Sequence, residues 1–374
     1  MTTKLMQRYQ NRRGFFRAIG VGASMALTAR AFGQYLLPPG QIRLIFNENP
    51  YGPSPKALQE VEKILPLASY YADSPNDFPI RDKLINEIAK LHDLEEKQLL
   101  ISSGSNEALQ AVTIAYGKIG KILIPSLTYS DHISYAERLG VEVVRIPLRA
   151  DLQVDLRSMA KAVDDSISMV YLANPNNPTG IAINSSELRE FCKEVGERVP
   201  VVIDEAYNEF TDNPNDFSMV DLVRGGDNVL ITRTFSKIFG MAGMRVGYAM
   251  GHFDILEQTN LHIMAWLNGV GLTAAYHSYR DAEFIRFSRD KVLIGREKVN
   301  RTFKKLNIKP VPSQTNFVFA DIGRDGKDFA AELARFGVLI RGGFEGYSNY
   351  VRVSMGRLED LEVFDEMFTR VYLS

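Results

Sequence analysis

Residues 234–247 place a lysine among hydroxyl and apolar side chains, a setting that could give its amine a chemical role. Thr234 and Ser236 precede Lys237, and Arg245 follows it in the same segment. A lysine in an apolar pocket has a depressed pKa and becomes nucleophilic. Considered alone, Lys237 fits a solvated loop lysine better, so its role depends on the residues that the fold brings beside it.

An acidic residue ends a second apolar run, where Asp204 follows residues 201–203. A carboxylate at the end of a buried strand is costly unless it is paired. A helix cap or an ion pair would satisfy it, and so would a buried cation on a ligand.

Two further loops have compositions suited to binding. Residues 174–180 contain two prolines, three asparagines and a terminal glycine, a density that a simple turn does not explain. An asparagine held there can aim its amide at a ligand oxygen. Residues 102–107 are small or polar, so their backbone N–H groups could approach an anion at a helix N-terminus. A plain helix cap at Ser105 is the alternative for this loop.

The elements that must position these four loops alternate along the chain. Short apolar runs occupy residues 99–102, 121–125, 141–147, 168–173, 199–204, 229–232 and 245–250, with helical stretches between them at 105–116, 131–139 and 185–195. This alternation predicts an α/β fold whose mainly parallel sheet is covered by helices on both faces. Ligands bind at the carboxyl ends of such strands, which is where the loops fall.

Together the four loops require one ligand that carries a phosphate, a carbonyl for the lysine and a ring nitrogen able to hold a proton beside Asp204. Pyridoxal 5′-phosphate (PLP) meets all three requirements. A lysine Schiff base together with an aspartate at the pyridinium nitrogen is typical of its sites. We therefore predict PLP as the cofactor, bound through Lys237.

Four motifs then resemble the class I/II aminotransferases of PLP fold type I, and most closely their histidinol-phosphate aminotransferase branch. They are residues 47–53, 174–180, 204–207 and 234–245, in the family's order. The resemblance covers roughly residues 40–374. It implies a large domain with a mainly parallel seven-stranded sheet between helices, plus a smaller α+β domain.

The pattern changes after about residue 255, where long helical stretches are followed by short strands and helices. We predict four parts. They are a signal segment over 1–31, an N-terminal segment over 32–67 that packs with the small domain, a large PLP-binding domain over 68–265, and a small domain over 266–374.

The resemblance implies a role for each matched residue. The catalytic residues are Lys237, which forms the Schiff base and moves the proton, Asp204, which pairs with the ring nitrogen, and Tyr207. Asn177 and Tyr207 hydrogen-bond the ring O3′, and Tyr129 stacks on the ring. The residues expected at the phosphate are Ser103, Gly104, Ser105, Thr234, Ser236 and Arg245.

Substrate and subunit contacts follow from the same resemblance. Arg352 grips the α-carboxylate of the amino acid or 2-oxo acid, a task that suits a bidentate guanidinium. Tyr51 and Arg341, with Asn177, lie near the substrate side chain, although simple packing and a surface charge would also explain the first two. Tyr71 reaches the phosphate of the neighbouring subunit, which implies a homodimer with shared sites.

The chain departs from the branch at residues 70–73, which are Tyr-Tyr-Ala-Asp where the family has Arg-Tyr-Pro-Asp. The strand that ends in Ala320 and Asp321 has no arginine suited to a substrate phosphate. We therefore expect a ping-pong aminotransferase whose substrate differs from histidinol phosphate. Other PLP chemistry (a decarboxylase, β-lyase, racemase or cyclase) is the alternative, and a non-catalytic PLP-binding protein is a remote one.

The first residues have the features of an export signal. Arg12 and Arg13 precede two phenylalanines, an apolar run follows over 18–29, and residues 29–31 form an Ala-x-Ala site. This pattern predicts a twin-arginine signal peptide and a periplasmic or exported enzyme, which would be cytoplasmic if the signal is not used. An amphipathic helix of the mature fold is the alternative.

Composition excludes several other classes. Lys and Arg number 44 against 45 Asp and Glu, which favours neither nucleic acid nor an anionic membrane. The five histidines have no metal-ligand spacing, so we predict no metal site. Cys192 is the one cysteine and fits a buried apolar position. We expect no membrane span after removal of the signal.

Overall fold

The computed structural model describes residues 40–72 and 79–374, and residues 42–374 form one compact unit. The predicted signal over 1–31 lies outside the described residues, as does Asp73. No helix in the described ranges combines the length and apolarity needed to cross a bilayer.

The seven apolar runs of the middle of the chain form one seven-stranded sheet, as predicted. Its strands are β2 (Leu99–Ser102), β3 (Lys121–Pro125), β4 (Val143–Ile146), β5 (Ile167–Ala173), β6 (Val201–Asp204), β7 (Val229–Thr234) and β8 (Gly247–Gly251). Their order is β2-β8-β7-β6-β5-β3-β4, and β8 alone runs antiparallel to its neighbours. Every residue of β6, β7 and β8 is buried, because helices cover both faces.

A second sheet has four strands in the order β1-β10-β11-β9. They are β1 (Ile42–Leu44), β9 (Phe317–Asp321), β10 (Val338–Phe344) and β11 (Tyr347–Ser354). Strand β1 pairs parallel with β10, so residues from both ends of the chain share this sheet. Strand β10 runs to Phe344, where it forms a hairpin with β11. The predicted domain boundaries stay predictions.

Thirteen helices surround the sheets in the described part of the chain. They are α1 (Pro55–Ile64), α2 (Ile80–His92), α3 (Ser105–Gly117), α4 (Asp131–Arg138), α5 (Leu156–Ala162), α6 (Ser185–Gly196), α7 (Pro214–Phe217), α8 (Val220–Gly225), α9 (Phe253–Asn260), α10 (Gly269–Tyr279), α11 (Ala282–Lys305), α12 (Gly326–Ala334) and α13 (Leu358–Leu373). Cys192 lies on the buried side of α6. Burial raises the pKa of its thiol, so it acts as an apolar core residue.

The alternation of side chains along a strand separates the two acids at the end of β6. Glu205 accepts hydrogen bonds from Arg233 Nε and Nη2, at 3.0 and 2.7 Å, in a fully buried pair. Asp204 points the other way and accepts a bond from Thr232 Oγ1 at 3.0 Å. Glu205 is therefore satisfied within the protein, and Asp204 is the acid that reaches the site.

Candidate active site

The carboxyl ends of the central strands open onto a cavity of about 570 Å³. Its wall includes most of the predicted site residues: Ser105, Tyr129, Asn177, Asp204, Tyr207, Thr234, Ser236, Lys237, Arg245, Arg341 and Arg352. These residues come from strands and adjoining loops of both sheets. The fold thus brings together side chains that are far apart in the sequence.

Lys237 lies on this wall with few polar partners. Its Nζ donates to the carbonyl oxygen of Phe46 at 3.4 Å and lies 5.6 Å from the centre of the Tyr207 ring. Burial, together with the positive charge of Arg352, lowers the pKa of the amine to about 8, although the negative charge of Asp204 opposes the shift. The neutral, nucleophilic form of the amine is therefore far more populated near neutral pH than it is for an ordinary lysine.

Asp204 is only 5% exposed and is held by two donors, Thr232 Oγ1 and the backbone N–H of Ala206. Burial raises its pKa to about 6, although both hydrogen bonds and the charge of Lys237 oppose the shift. A buried carboxylate with an elevated pKa is poised to hold a proton that it shares with a cationic ring nitrogen.

The Tyr207 hydroxyl lies between two amides at the cavity wall. Asn47 Nδ2 donates to it at 2.9 Å and Asn177 Nδ2 at 3.4 Å. Because both neighbours donate, the phenol is free to donate its own proton to a ligand oxygen. Burial raises the pKa of Tyr207 to about 12, which keeps that proton in place at neutral pH.

Arg352 on β11 is the cation that connects the second sheet to this cluster. Its Nη1 donates to Asn177 Oδ1 at 2.7 Å and its Nη2 to the carbonyl oxygen of Ile45 at 2.7 Å. Its Nε is buried and has no hydrogen-bond partner among the described residues. Burial lowers the pKa of the guanidinium to about 10. The group is fixed in place with donor capacity left for an anion.

A cluster of donors surrounds the N-terminus of α3. Thr234 Oγ1 donates to Ser236 Oγ at 2.9 Å, and Arg245 Nη1 donates to the same oxygen at 3.2 Å. Gly104 caps the helix with a φ of +82°, and a Cβ there would lie 2.2 Å from Arg245 Nη2. The guanidinium thus lies directly over the first turn of α3, and we name this group of residues the anion cradle: Ser103, Gly104, Ser105, Thr234, Ser236 and Arg245.

Tyr129 lies on the cavity wall, where its hydroxyl donates to Asn106 Oδ1 at 2.9 Å and contacts Asp131 Oδ2 at 3.1 Å. Burial raises its pKa well above the usual range. Behind it lies His132, whose ring nitrogens have no hydrogen-bond partner among the described residues. Burial lowers the pKa of this histidine to about 3, so the ring is neutral.

Four predicted site residues do not line the cavity of their own chain within the described residues: Ser103, Gly104, Tyr51 and Tyr71. Tyr51 packs edge-on against Phe287, with ring centres 5.2 Å apart. Tyr71 is 75% exposed and packs against Trp266, with centres 4.8 Å apart. Arg341 is exposed on β10 and lies over the Phe344 ring at the cavity rim.

Asn47 begins one of the four motifs, but its residue type and position did not predict a role for it. Besides Tyr207, its side chain accepts a bond from Ser354 Oγ at 2.7 Å, and its carbonyl oxygen accepts one from Asn316 Nδ2 at 3.0 Å. Its φ of +56° is unusual for a side chain other than glycine. The density of polar residues in the motif was the available signal.

The family model described as aminotransferase class I and II matches residues 39–366. The chain belongs to the class I and II aminotransferases. A histidinol-phosphate aminotransferase from Moorella thermoacetica is 32% identical over 327 residues, which cover 86% of this chain and 83% of the relative. This aminotransferase is therefore a PLP-dependent enzyme with a histidinol-phosphate aminotransferase-like sequence.

Solved structures agree on the fold. A candidate histidinol-phosphate aminotransferase from Erwinia carotovora atroseptica superposes with a TM-score of 0.83 at 31% identity, over 88% of this chain and 95% of that one. The histidinol-phosphate aminotransferase of Sinorhizobium meliloti, solved with PLP, gives a TM-score of 0.78 at 24% identity, over 88% and 90% of the two chains. PLP fold type I, predicted from the motifs, is confirmed.

The residues of this aminotransferase fit PLP. The anion cradle offers hydroxyl, guanidinium and helix N-terminal donors to a phosphate, as that group requires. Asp204 is a buried carboxylate suited to a ring N–H, and Lys237 is an amine with a depressed pKa. The individual roles of these residues stay predictions.

Substitution of Gly104 by alanine tests the anion cradle. Gly104→Ala places a Cβ against Arg245, so we expect the dissociation constant for PLP to rise tenfold or more. Gly140→Ala is the control, because Gly140 also has a positive φ (+91°) but no atom of the described residues lies within 4 Å of its Cβ position. Gly104→Ala should lose about 1–3 kcal/mol of stability, because φ +82° and ψ +156° define a backbone region that essentially only glycine adopts. Gly140→Ala should also lose stability because of its positive φ. Equal PLP affinities in the two variants would contradict this account of the cradle.

The pKa of Lys237 predicts the pH dependence of cofactor capture. Because the neutral amine reacts, the apoprotein should capture PLP faster as the pH rises through about 8, well below the ordinary 10.5 of lysine. Removal of the nearby positive charge in Arg352→Leu should move this midpoint upward, while Arg341→Leu should leave it in place. Stopped-flow absorbance measures the rates, and a midpoint near the ordinary value would contradict the prediction.

Proposed function

We propose that this aminotransferase moves the amino group of a free amino acid to a 2-oxo acid in two half-reactions, and that its substrate differs from histidinol phosphate. One observation carries the proposal. A single cavity contains a nucleophilic lysine, a buried aspartate and a fixed arginine with an unused donor. These are the groups needed to bind the cofactor, keep its ring protonated and hold an α-carboxylate.

PLP, when bound, supplies an electron sink for the bond that breaks at the substrate Cα. The residues of the chain do the remaining work. Lys237 anchors the cofactor and then carries the proton from Cα, a task suited to an amine whose pKa is about 8. Asp204 keeps the ring nitrogen protonated, and the Tyr207 hydroxyl donates to the ring oxygen beside it.

Arg352 orients the substrate in this proposal. Two of its nitrogens donate hydrogen bonds, one to Asn177 and one to the backbone of Ile45, and these bonds hold the guanidinium in position. The remaining donors suit an α-carboxylate. Arg341 lies directly opposite Arg352 across the β10–β11 pair, which places a second positive charge towards the substrate side chain.

A homodimer is part of the proposal. Tyr71 is largely exposed and does not line the cavity of its own chain among the described residues. A hydrogen-bonding aromatic side chain in such a position is well placed to reach a neighbouring molecule. We propose that it crosses to the anion cradle of the second subunit.

Export through the twin-arginine route is also proposed. The support is the sequence 12–31 alone, with its paired arginines, apolar run and Ala-x-Ala site. A cofactor acquired before export requires a route that carries folded proteins, which agrees with this type of signal. Such a location would separate the enzyme from cytoplasmic histidine biosynthesis, which is one reason to expect a different substrate.

The amino-transfer proposal predicts a reversible half-reaction. At least one of the twenty common amino acids should convert the pyridoxal form of the enzyme to its pyridoxamine form, and a 2-oxo acid should restore it. Absorbance spectra measure the change, with histidinol phosphate included as a slower donor. Carbon dioxide, ammonia with pyruvate, or a ring-closed product would instead indicate the alternative PLP reactions.

The role of Arg352 is tested with the donor found in that screen. Arg352→Leu should raise the KM for the donor about a hundredfold, the scale expected when a buried charge pair loses one partner. Arg341→Leu is the matched control on the facing strand. It should raise the KM mainly for donors that have an acidic side chain, because Arg341 is not expected to bind the α-carboxylate. Equal effects of the two variants on every donor would contradict the assignment.

The export proposal predicts the fate of a reporter fused to the first residues. Residues 1–35 should carry a folded fluorescent protein to the periplasm, and replacement of Arg12 and Arg13 by lysines should retain it in the cytoplasm. Cell fractionation measures the distribution. A reporter that stays in the cytoplasm with the intact segment would refute export.

A further inference from the structure

The segment between α9 and α10, residues 261–268, exposes large apolar side chains. Leu261 is 70%, Met264 91% and Trp266 64% exposed. We call these eight residues the apolar segment. Large apolar side chains grouped on a surface mark a contact with another molecule. Trp266 packs against Tyr71, so the segment belongs to the face that we propose for the second subunit.

This segment is hydrogen-bonded to the first loop of the anion cradle through one carboxylate. Glu107 on α3 accepts a bond from the backbone N–H of Ser103 at 2.6 Å on Oε2. Its Oε1 accepts a bond from the backbone N–H of Ala265 at 3.3 Å. One side chain thus holds a cradle residue with one oxygen and the middle of the apolar segment with the other.

The end of the segment is bonded to the second loop of the cradle. Asn268 Nδ2 donates to the carbonyl oxygen of Met244 at 3.2 Å, and Met244 immediately precedes Arg245. Gly271, in the first turn of α10, also packs closely against the Met244 carbonyl oxygen, because a Cβ at Gly271 would lie 2.6 Å from it. Both loops that supply the cradle are therefore fixed against the same surface segment.

We propose that Glu107 is a positioning residue that couples the contact between two copies of the chain, made at the apolar segment, to phosphate binding in the anion cradle. The inference rests on the proposed PLP-dependent homodimer. When a second copy covers the apolar segment, the backbone at Ala265 is held in place. Its hydrogen bond then fixes Glu107, which in turn fixes the Ser103 backbone. PLP then binds to a cradle that is already ordered, and by reciprocity bound PLP strengthens the dimer.

The chemistry of Glu107 explains why a carboxylate serves here. Both of its oxygens are acceptors, so it can hold two N–H groups that lie on different elements. A glutamine of the same shape has one acceptor oxygen, and its NH₂ group would face one of the two N–H groups. The negative charge also suits the N-terminal turn of α3.

Glu107→Gln tests the coupling, with Glu257→Gln on the exposed side of α9 as the matched control. Analytical ultracentrifugation gives the dimer dissociation constant with and without PLP, and titration gives the dissociation constant for PLP. In the parent and the control, PLP should tighten the dimer at least tenfold. In Glu107→Gln this factor should fall at least fivefold, and the PLP dissociation constant should rise about tenfold.

If Glu107 had a merely structural role, Glu107→Gln would weaken dimerisation and PLP binding but leave unchanged the factor by which PLP tightens the dimer. That result would overturn the proposal. A parent protein that stays monomeric, or whose dimer is insensitive to PLP, would overturn it as well. Loss of amino transfer in the parent with the linkage intact would instead refute the proposed function alone.

Trp266→Ala provides a second variant that leaves Glu107 in place. It should weaken the dimer, and PLP affinity should return to the parent value at protein concentrations that restore the dimer. In Glu107→Gln, PLP affinity should stay low at those concentrations. Recovery in both variants would overturn the role of Glu107, since dimerisation alone would then suffice.

Discussion

The burial of Asp204 and Lys237 in one cavity is the constraint on which the rest of the site depends. Burial disfavours both charges and shifts both pKa values towards the neutral forms. Neither side chain has a complete set of partners among the described residues: the amine has one long hydrogen bond to a carbonyl oxygen, and the carboxylate has a hydroxyl and a backbone N–H. A ligand with a carbonyl and a ring N–H supplies what both groups lack.

The two sheets meet in a short chain of hydrogen bonds around this cavity. Arg352 from the second sheet holds Asn177, which with Asn47 holds the Tyr207 hydroxyl. The side chains that would position the substrate and the cofactor ring are thus bonded to one another. A displacement of the second sheet would change the position of Asn177 and of the tyrosine at the same time, so substrate binding and ring orientation are mechanically linked.

Hydrogen bonds also connect the anion cradle to the protein surface. Its first loop is bonded to Glu107 and its second, at Met244, to Asn268, and both bonds lead to an exposed apolar segment. The arrangement of the hydrogen-bond donors in the anion cradle therefore depends on residues that do not line the cavity, such as Glu107 and Asn268. In the proposed dimer, cofactor binding and subunit contact therefore depend on the same hydrogen bonds.

The sequence by itself determined the strands of the large sheet and the loops at their ends that contain Lys237 and follow Asp204, because buried strands and polar loops are local patterns. It left the role of Asn47 unassigned and did not indicate Glu107 as a link. Those contacts join residues that lie far apart along the chain, such as Asn47 with Tyr207 and Glu107 with Ala265. Only the tertiary structure decided them, since local composition carries no information about which distant backbone group a side chain will meet.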